Sequence, residues 1–413
     1  MNTKAILATA LSSLLTMQIV AGYSQGAFPY DMPKEKPTDR KLSRAMERLY
    51  DDYKVITPQR NELYSVFKFS NLTGLDYNND DGTITRRDPT RVIKVGDTYY
   101  MWYTLRNTKI TYQGADKCTD EIPSVDWDLC DIGYATSKDG FEWKEQGVAV
   151  PRPPKPTLGW RSISTPEILV WKGKYYLYFQ AFSQASGTDG GDNCPVAMAE
   201  ADSPDGPWRY IENEVIPNGK KGEWDQHSIH DPLPVVLNGK IYMYYKSDFN
   251  GKPDMMRAQG LAIGDNPRGP FVKYECNPVI NSGHETQFFR FKEGVAALAT
   301  RDGHEHYTVQ YADDGKNFEI ASITGLMPDA SGLCDPDAFT DTKYARGITW
   351  GVCHYCIWGE HRRTILLRFD CDLSLDLNDP DMKRNNVRPS LDDFLTRRLT
   401  AKQRQRILEE MKN

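Results

Sequence analysis

The chain has 413 residues and a formal net charge of −6, with 39% hydrophobic and 11% aromatic side chains. That length can bury a large core, and the acidic balance argues against nucleic acid or an anionic membrane as a partner. Eight Cys over such a length make no disulfide-dense framework, and the 23 Tyr and 9 Trp suit either pleated β-structure or stacking on sugar rings.

The N-terminus reads as an export signal. Lys4 supplies a positive charge, Ala5 to Ala21 is apolar, and small residues at Gly22 and Ser24 permit cleavage near Gln25. A signal peptide over 1–24 implies a periplasmic or secreted protein. Ser12, Ser13 and Gln18 interrupt the apolar run, which is too short to favour a membrane anchor. Residues 25–62 then form an extended arm with Pro29, Pro33 and Pro37, followed by a helix from Leu42 to Tyr53. Ser43 caps that helix, and Ala45, Leu49 and Tyr53 share one face.

From Leu63 the pattern changes to short strands. Val95 to Tyr103 resembles Lys172 to Phe179 and Asn238 to Tyr245; each is a Gly turn and then an aromatic-rich strand that alternates as a half-buried strand does. Glu293 to Leu298 and Ala345 to Trp350 are weaker copies. A second half recurs as strand, tight turn and outer strand in Ile132 to Trp143, Val196 to Trp208, Gly260 to Phe271 and Tyr307 to Phe318. Five such units over 63–372 predict an all-β, five-bladed β-propeller, with a two-sheet sandwich as the alternative. Residues 373–413 read as a helical extension. Its amphipathic helix starts at Arg388, carries Leu391, Phe394, Leu395 and Leu399 on one face, and would dock on the propeller or on a partner subunit.

A carboxylate stands near the head of each unit: Asp88 before Pro89, Glu167 after Pro166, Asp231 before Pro232, Glu285 before Thr286, and Asp335 with Asp337 around Pro336. One Asp-Pro is ordinary turn chemistry. Repeated where the innermost strand of each blade opens, the group points at one central pocket, and converging carboxylates are the equipment of glycoside hydrolysis. An inverting pair leaves room for a water, with carboxyls roughly 6.5–9.5 Å apart, and carboxylates on different blades can span such a gap. Trp127, in an insertion from Asn107 to Asp131, reads equally as a sugar platform or a core residue. Lys246 and Glu167 can hydrogen-bond hydroxyls, and Lys246 can equally pair with one of the acids.

All seven His lie at or beyond His227. His227 and His230 would fall on opposite faces of a strand, so a zinc hydrolase is not expected and no cofactor is required. A structural divalent cation on the propeller axis is compatible with the pattern. His304 and His306 read as surface residues. Cys353-His354-Tyr355-Cys356 has C-x-x-C spacing but falls in a strand, which favours structural thiols. Cys118 and Cys130 flank one loop that a disulfide would close.

Ser43-Arg44-Ala45-Met46-Glu47-Arg48, Arg87-Asp88-Pro89-Thr90, Trp127-Asp128, Thr165-Pro166-Glu167, His227-Ser228-Ile229-His230-Asp231-Pro232 and Ser282-Gly283-His284-Glu285 occur in order. Over residues 40 to 370 this ordered set resembles glycoside hydrolase family 117, and more distantly family 43. The resemblance implies an exo-acting, inverting α-1,3-(3,6-anhydro-L-galactosidase) acting on neoagaro-oligosaccharides. It implies that Asp88 is the general base, that Asp231 orients substrate or tunes the acid, and that Glu285 or His284 is the acid. An imidazole, with an ordinary pKa of about 6.5, serves as an acid with little tuning. Thr165, Glu167, His230, Lys246 and Trp127 become substrate-binding candidates. The first motif, on the N-terminal helix, implies a domain-swapped homodimer. The signal peptide and long insertions depart from the family, which leaves a carrageenan-type or another α-linked sugar open. A family-43-like α-L-arabinofuranosidase or β-xylosidase and a non-catalytic sugar-binding propeller are the alternatives.

Overall fold

The computed structural model describes residues 26–51, 61–188, 193–247, 257–359 and 361–375, with single positions at 382, 402, 405, 406 and 409. The signal peptide expected over 1–24 and nearly all of the extension expected over 373–413 lie outside the described residues.

Between residues 26 and 375 the chain is all-β, with one short α-helix and two 3-10 turns among the described residues. Strand β1 (Lys68–Asn71) comes first. A first set follows: β2 (Ile84–Arg87), β3 (Ile93–Val95), β4 (Thr98–Asn107), β5 (Cys130–Ser137) and β6 (Trp143–Val150), ordered β2-β4-β5-β6 with β3 also on β4. The second set is β7 (Ser162–Trp171), β8 (Lys174–Phe182), β9 (Val196–Ala201) and β10 (Arg209–Ile216). The third is β11 (Ile229–Leu237), β12 (Lys240–Ser247), β13 (Gln259–Gly264) and β14 (Val272–Lys273). The fourth set is β15 (Gln287–Lys292), β16 (Gly294–Ala299), β17 (Thr308–Ala312) and β18 (Glu319–Ile323). It joins β19 (Asp329–Leu333), β20 (Ala345–Ile357) and β21 (Arg363–Ser374) in one eight-stranded sheet, through the pairs Phe291 with Arg346 and Lys292 with Ala345. Strand β1 pairs with β21, so the first strand of the chain completes the last set.

The inner strands form a closed circuit. Strand β7 lies against β4 and β11, β11 against β15, β15 against β19, and β2 against β20 and β21. Gly332 on β19 is required where the last set meets the first, because a Cβ there would sit 1.9 Å from the Thr90 carbonyl oxygen.

The aromatic-rich strands do not alternate as the sequence suggested. Strands β8 and β12 are buried along nearly their whole length, because each is covered on both faces by neighbouring sheets. Aromatic rings knit those sheets together: Tyr244 stacks on Phe288 at 3.8 Å, Trp102 meets Trp208 edge-on at 5.7 Å, and Tyr99 meets Trp350 at 5.2 Å. Most of the aromatic content is therefore core rather than sugar platform.

Helix α1 runs only from Arg44 to Arg48, shorter than the expected helix from Leu42 to Tyr53. Ser43 caps it as expected, accepting from the Met46 amide. Its hydroxyl also donates to Pro278 O at 2.5 Å, and Arg48 pairs with buried Glu305 at 2.8 Å. Both residues thus bond within the chain. Removing the partner of a buried carboxylate is costly, so Arg48→Ala is expected to lower unfolding free energy by about 3 kcal/mol in urea melts. A change below about 1 kcal/mol would mean that Glu305 finds water instead.

The Cys118–Cys130 disulfide that the sequence left open is not formed. Cys118 Sγ donates to Ala115 O at 3.1 Å, whereas Cys130 is buried beside the Asp126 and Asp128 carbonyls, so the two side chains serve different parts of the loop.

Candidate active site

One non-glycine residue in each set of strands has a left-handed backbone near the circuit's centre: Asp88 (φ 48°), Thr165 (48°), Asp231 (51°), Glu285 (62°) and Ala330 (41°). Such conformations are costly for residues with a Cβ and gather where function needs them. Register breaks between Ser164 and Glu167, between His230 and Leu233, and between Asp329 and Gly332 mark β-bulges at three of these positions. This corrects the sequence register. Three carboxylates are equivalent (Asp88, Asp231 and Glu285), while Thr165 and Ala330 occupy the other two places. Glu167 lies further along β7, and Asp335 lies just beyond the end of β19.

A cavity of about 590 Å³ opens over these bulges. Asp88, Trp127, Thr165, Glu167, His230, Asp231, Lys246, His284 and Glu285 all line it, so every site residue expected from the sequence is gathered at one place. Asp335 and Asp337 do not line it; Asp335 accepts from the Arg290 amide and Asp337 pairs with Arg346, both at the base of the last set.

Asp88 is buried and accepts from Arg87 Nε at 2.8 Å, Thr104 Oγ1 at 3.3 Å and Thr165 Oγ1 at 3.4 Å. Burial works against its charge, but Arg87 and His354 outweigh this and hold the carboxyl well below the usual range. Glu285 Oε1 lies 3.1 Å from His284 Nε2, and His284 Nδ1 lies 3.1 Å from Asp302 Oδ2. Burial again opposes ionisation of Glu285, yet the charges of His284, His354 and Lys246 lower its pKa. Asp231 pairs with Lys246 at 3.1 Å, the ion pair that the sequence left open. Trp127 is half-buried rather than core, with the Arg87 guanidinium 4.9 Å from its ring centre. Its neighbours Asp126 and Asp128 are anchored by Arg106 and Arg161, which fixes the insertion over the cavity.

Sequence reasoning does not find His354, because the C-x-x-C spacing around it points only to a structural strand. It is buried on β20 and reaches the centre beside Ala330, with Nδ1 3.1 Å from Asp88 Oδ1 and Nε2 4.0 Å from Glu285 Oε1. Gln180 and Trp358 are also missed; both line the cavity, and Trp358, 78% exposed, stands at its rim beyond β20. His304 and His306 are exposed, as expected. Among the described residues no group of three or more His, Cys, Asp or Glu is placed to hold a metal ion.

At the floor of the cavity, Glu167 accepts from the Arg91 and Ile168 amides, both at 2.8 Å, and burial raises its pKa to about 7. Burial likewise raises Asp335 to about 6. The folded state therefore keeps these protons above the ordinary values of 4.5 and 3.8, and stability falls as pH rises through those windows. Burial disfavours the charge of His354, but Glu285 and Asp88 raise its pKa from 6.5 to about 9, so its contribution is present below 6.5 and is lost as pH rises through 9. The lowered Asp88, Glu285 and Asp302 act with opposite sign, but only in acid. The melting temperature is expected to decline from about pH 5 to about pH 9, and Glu167→Gln to flatten the part below 7. A flat or rising profile in scanning calorimetry would refute this.

The chain is similar to known glycoside hydrolases. A model of glycosyl hydrolases family 43 matches residues 83–259. A solved family 117 glycoside hydrolase produced by the marine bacterium Zobellia galactanivorans is 55% identical, with a TM-score of 0.75, over 82% of this chain and 100% of that one. A structure described as a glycoside hydrolase (14% identity, TM-score 0.53, covering 80% of this chain and 96% of that one) is similar in fold. None of the curated proteins compared matches the chain. The fold is propeller-like and the protein is a glycoside hydrolase. The chain belongs to glycoside hydrolase family 117.

Proposed function

We propose that this protein is an exo-acting, inverting glycosidase that releases 3,6-anhydro-L-galactose from the non-reducing end of neoagaro-oligosaccharides. One observation carries the reading. Around a single cavity, Asp88 is held ionised by cations, and the imidazole of His284 lies beside a Glu285 that is also held ionised. An inverting enzyme needs one ionised base and one protonated acid. Asp88 suits the base. Glu285, kept charged, does not suit the acid, which supports His284 in that role with Glu285 orienting it.

In the reaction, Asp88 takes a proton from water as the water oxygen bonds to the anomeric carbon. On the opposite face the glycosidic bond breaks, and His284 gives its proton to the leaving oxygen. Asp231, fixed by Lys246, accepts a bond from a sugar hydroxyl. Thr165, Glu167 and His230 line the same wall, and Trp127 offers a ring face to the sugar. Family membership supports the glycosidase class, and the resemblance carries the substrate. The proposal treats the five sets of strands as the blades of a five-bladed propeller forming a catalytic domain over 63–372. It includes export after removal of 1–24, an arm over 25–62, an extension over 373–413, and a homodimer in which α1 makes its Ser43 and Arg48 contacts in trans. No cofactor enters the reaction; a cation on the axis would be structural.

The test is incubation with neoagarobiose and with aryl arabinosides and xylosides, following the anomer first formed by NMR. Release of anhydrogalactose with inversion, lost in Asp88→Asn, supports the proposal. Pentoside cleavage instead supports a family-43-like arabinofuranosidase or xylosidase, the second reading, which the family 43 match favours. Sugar binding without turnover on any glycan would leave a non-catalytic propeller.

A further inference from the structure

Seven side chains in or beside the cavity run in sequence without a gap. Arg87 touches Asp88 at 2.8 Å, Asp88 touches His354 at 3.1 Å, and His354 faces Glu285 at 4.0 Å. Glu285 touches His284 at 3.1 Å, His284 touches Asp302 at 3.1 Å, and Asp302 touches Arg257 at 2.5 Å. Basic and acidic groups alternate throughout. His354 is the third member, between Asp88 and Glu285, and its side chain is 3% exposed. It bridges the two carboxylates that stand on opposite sides of the circuit, at the end of β2 and ahead of β15.

The fold provides for that bridge. All five left-handed positions line the cavity, but the fifth, Ala330, carries only a methyl. Its methyl leaves the centre open. His354, on the neighbouring strand β20 and opposite Asp329 in the β19 ladder, fills the space from the side. Nδ1 has two neighbours on Asp88, the carboxylate oxygen at 3.1 Å and the backbone N–H at 3.4 Å. A proton on Nδ1 makes the shorter contact a charge-assisted bond and forgoes the longer one.

We propose that His354 is a positioning residue of this glycosidase, a buried imidazolium that holds the Asp88 carboxylate in its reactive orientation and ties it to Glu285. It touches neither water nor sugar in the reaction; it acts through Asp88. The groups facing its ring are Asp88 and Arg87 from the first set, Glu285 from the fourth, and Cys356 from its own strand. Two carboxylates against one guanidinium favour the charged ring, in agreement with its raised pKa. The kinetic part of this inference rests on the function proposed above; the protonation part does not.

Two measurements test it. In histidine-labelled protein, His354 is identified as the NMR signal missing from His354→Asn. It is expected to stay protonated past pH 8 in the native protein and to titrate at lower pH in Asp88→Asn. Titration at the same pH in both proteins overturns the proposal. In kinetics, His354→Asn keeps a neutral donor near the Nδ1 position and His354→Phe keeps the ring volume without one. Both are expected to lower kcat by about 10²-fold with KM nearly unchanged. Both are also expected to move the acidic limb of the kcat/KM profile to higher pH, as the Asp88 pKa rises towards its ordinary value. An unmoved acidic limb, or a loss confined to KM or to melting temperature, would reduce His354 to a packing residue. Activity abolished by chelators in the native protein alone would make it a neutral metal ligand and overturn the proposal. If the native protein hydrolyses nothing, the proposed function fails while the NMR result still decides the state of His354.

Discussion

Replacing Asp88 by Asn is expected to lower kcat by about 10³-fold, within the range for loss of a general acid or base. The substitution preserves shape. What it removes is the negative charge on which four contacts converge: Arg87 Nε at 2.8 Å, His354 Nδ1 at 3.1 Å, Thr104 Oγ1 at 3.3 Å and Thr165 Oγ1 at 3.4 Å. An amide cannot take a proton from water, so the base is lost outright. The amide also turns a donor towards one of two cations, Arg87 or His354, whichever way it is oriented. Both are buried, and each loses a counter-charge. The variant is therefore expected to melt earlier as well as turn over more slowly. Activity must be measured well below its melting temperature, with substrate binding followed separately by calorimetry. Sugar binding within a few-fold of native with turnover gone supports the base role. Turnover within about ten-fold of native would remove Asp88 from that role.

The repeat was readable because each unit carries a Gly turn and an aromatic strand at matching places, and so was the fact that several carboxylates share a centre. Which carboxylates are equivalent was not. Thr165-Pro166-Glu167 offers one acid within three residues, and sequence spacing cannot tell that the bulge puts Thr165, rather than Glu167, in the left-handed position. The same limit hid the fifth position, since Ala330 has no chemistry to notice. His354 was missed for a related reason. It belongs to the second strand of its set, and only the small residue at Ala330 lets it reach the centre. The helix motif from Ser43 to Arg48 fixed the cap, but not the helix length or what Arg48 would pair with 257 residues away.

Arg91 makes the same point about the floor of the site, and its replacement is the larger stability test. The side chain is buried, with Nη1 donating to Pro234 O at 2.9 Å and Nη2 to Phe288 O at 2.5 Å, so it ties the first set of strands to the third and fourth. Its guanidinium lies 5.5 Å from the centre of the Phe339 ring. Its charge also opposes the upward shift that burial imposes on Glu167 and Asp335. Arg91→Met keeps much of the volume but orphans two carbonyls and leaves two buried carboxyls without their nearest cation. A loss of about 3–5 kcal/mol is expected, because each buried carbonyl left without its donor costs roughly 1–3 kcal/mol. The loss should depend on pH. Without Arg91 the folded-state pKa values of Glu167 and Asp335 rise further, so the fold holds two protons that the unfolded chain releases over a wider range. Urea melts should therefore show a larger deficit at pH 8 than at pH 5. An equal deficit at the two pH values would mean that Arg91 acts only through its bonds to Pro234 and Phe288, and that the carboxyls below the active site are neutral whether or not it is present.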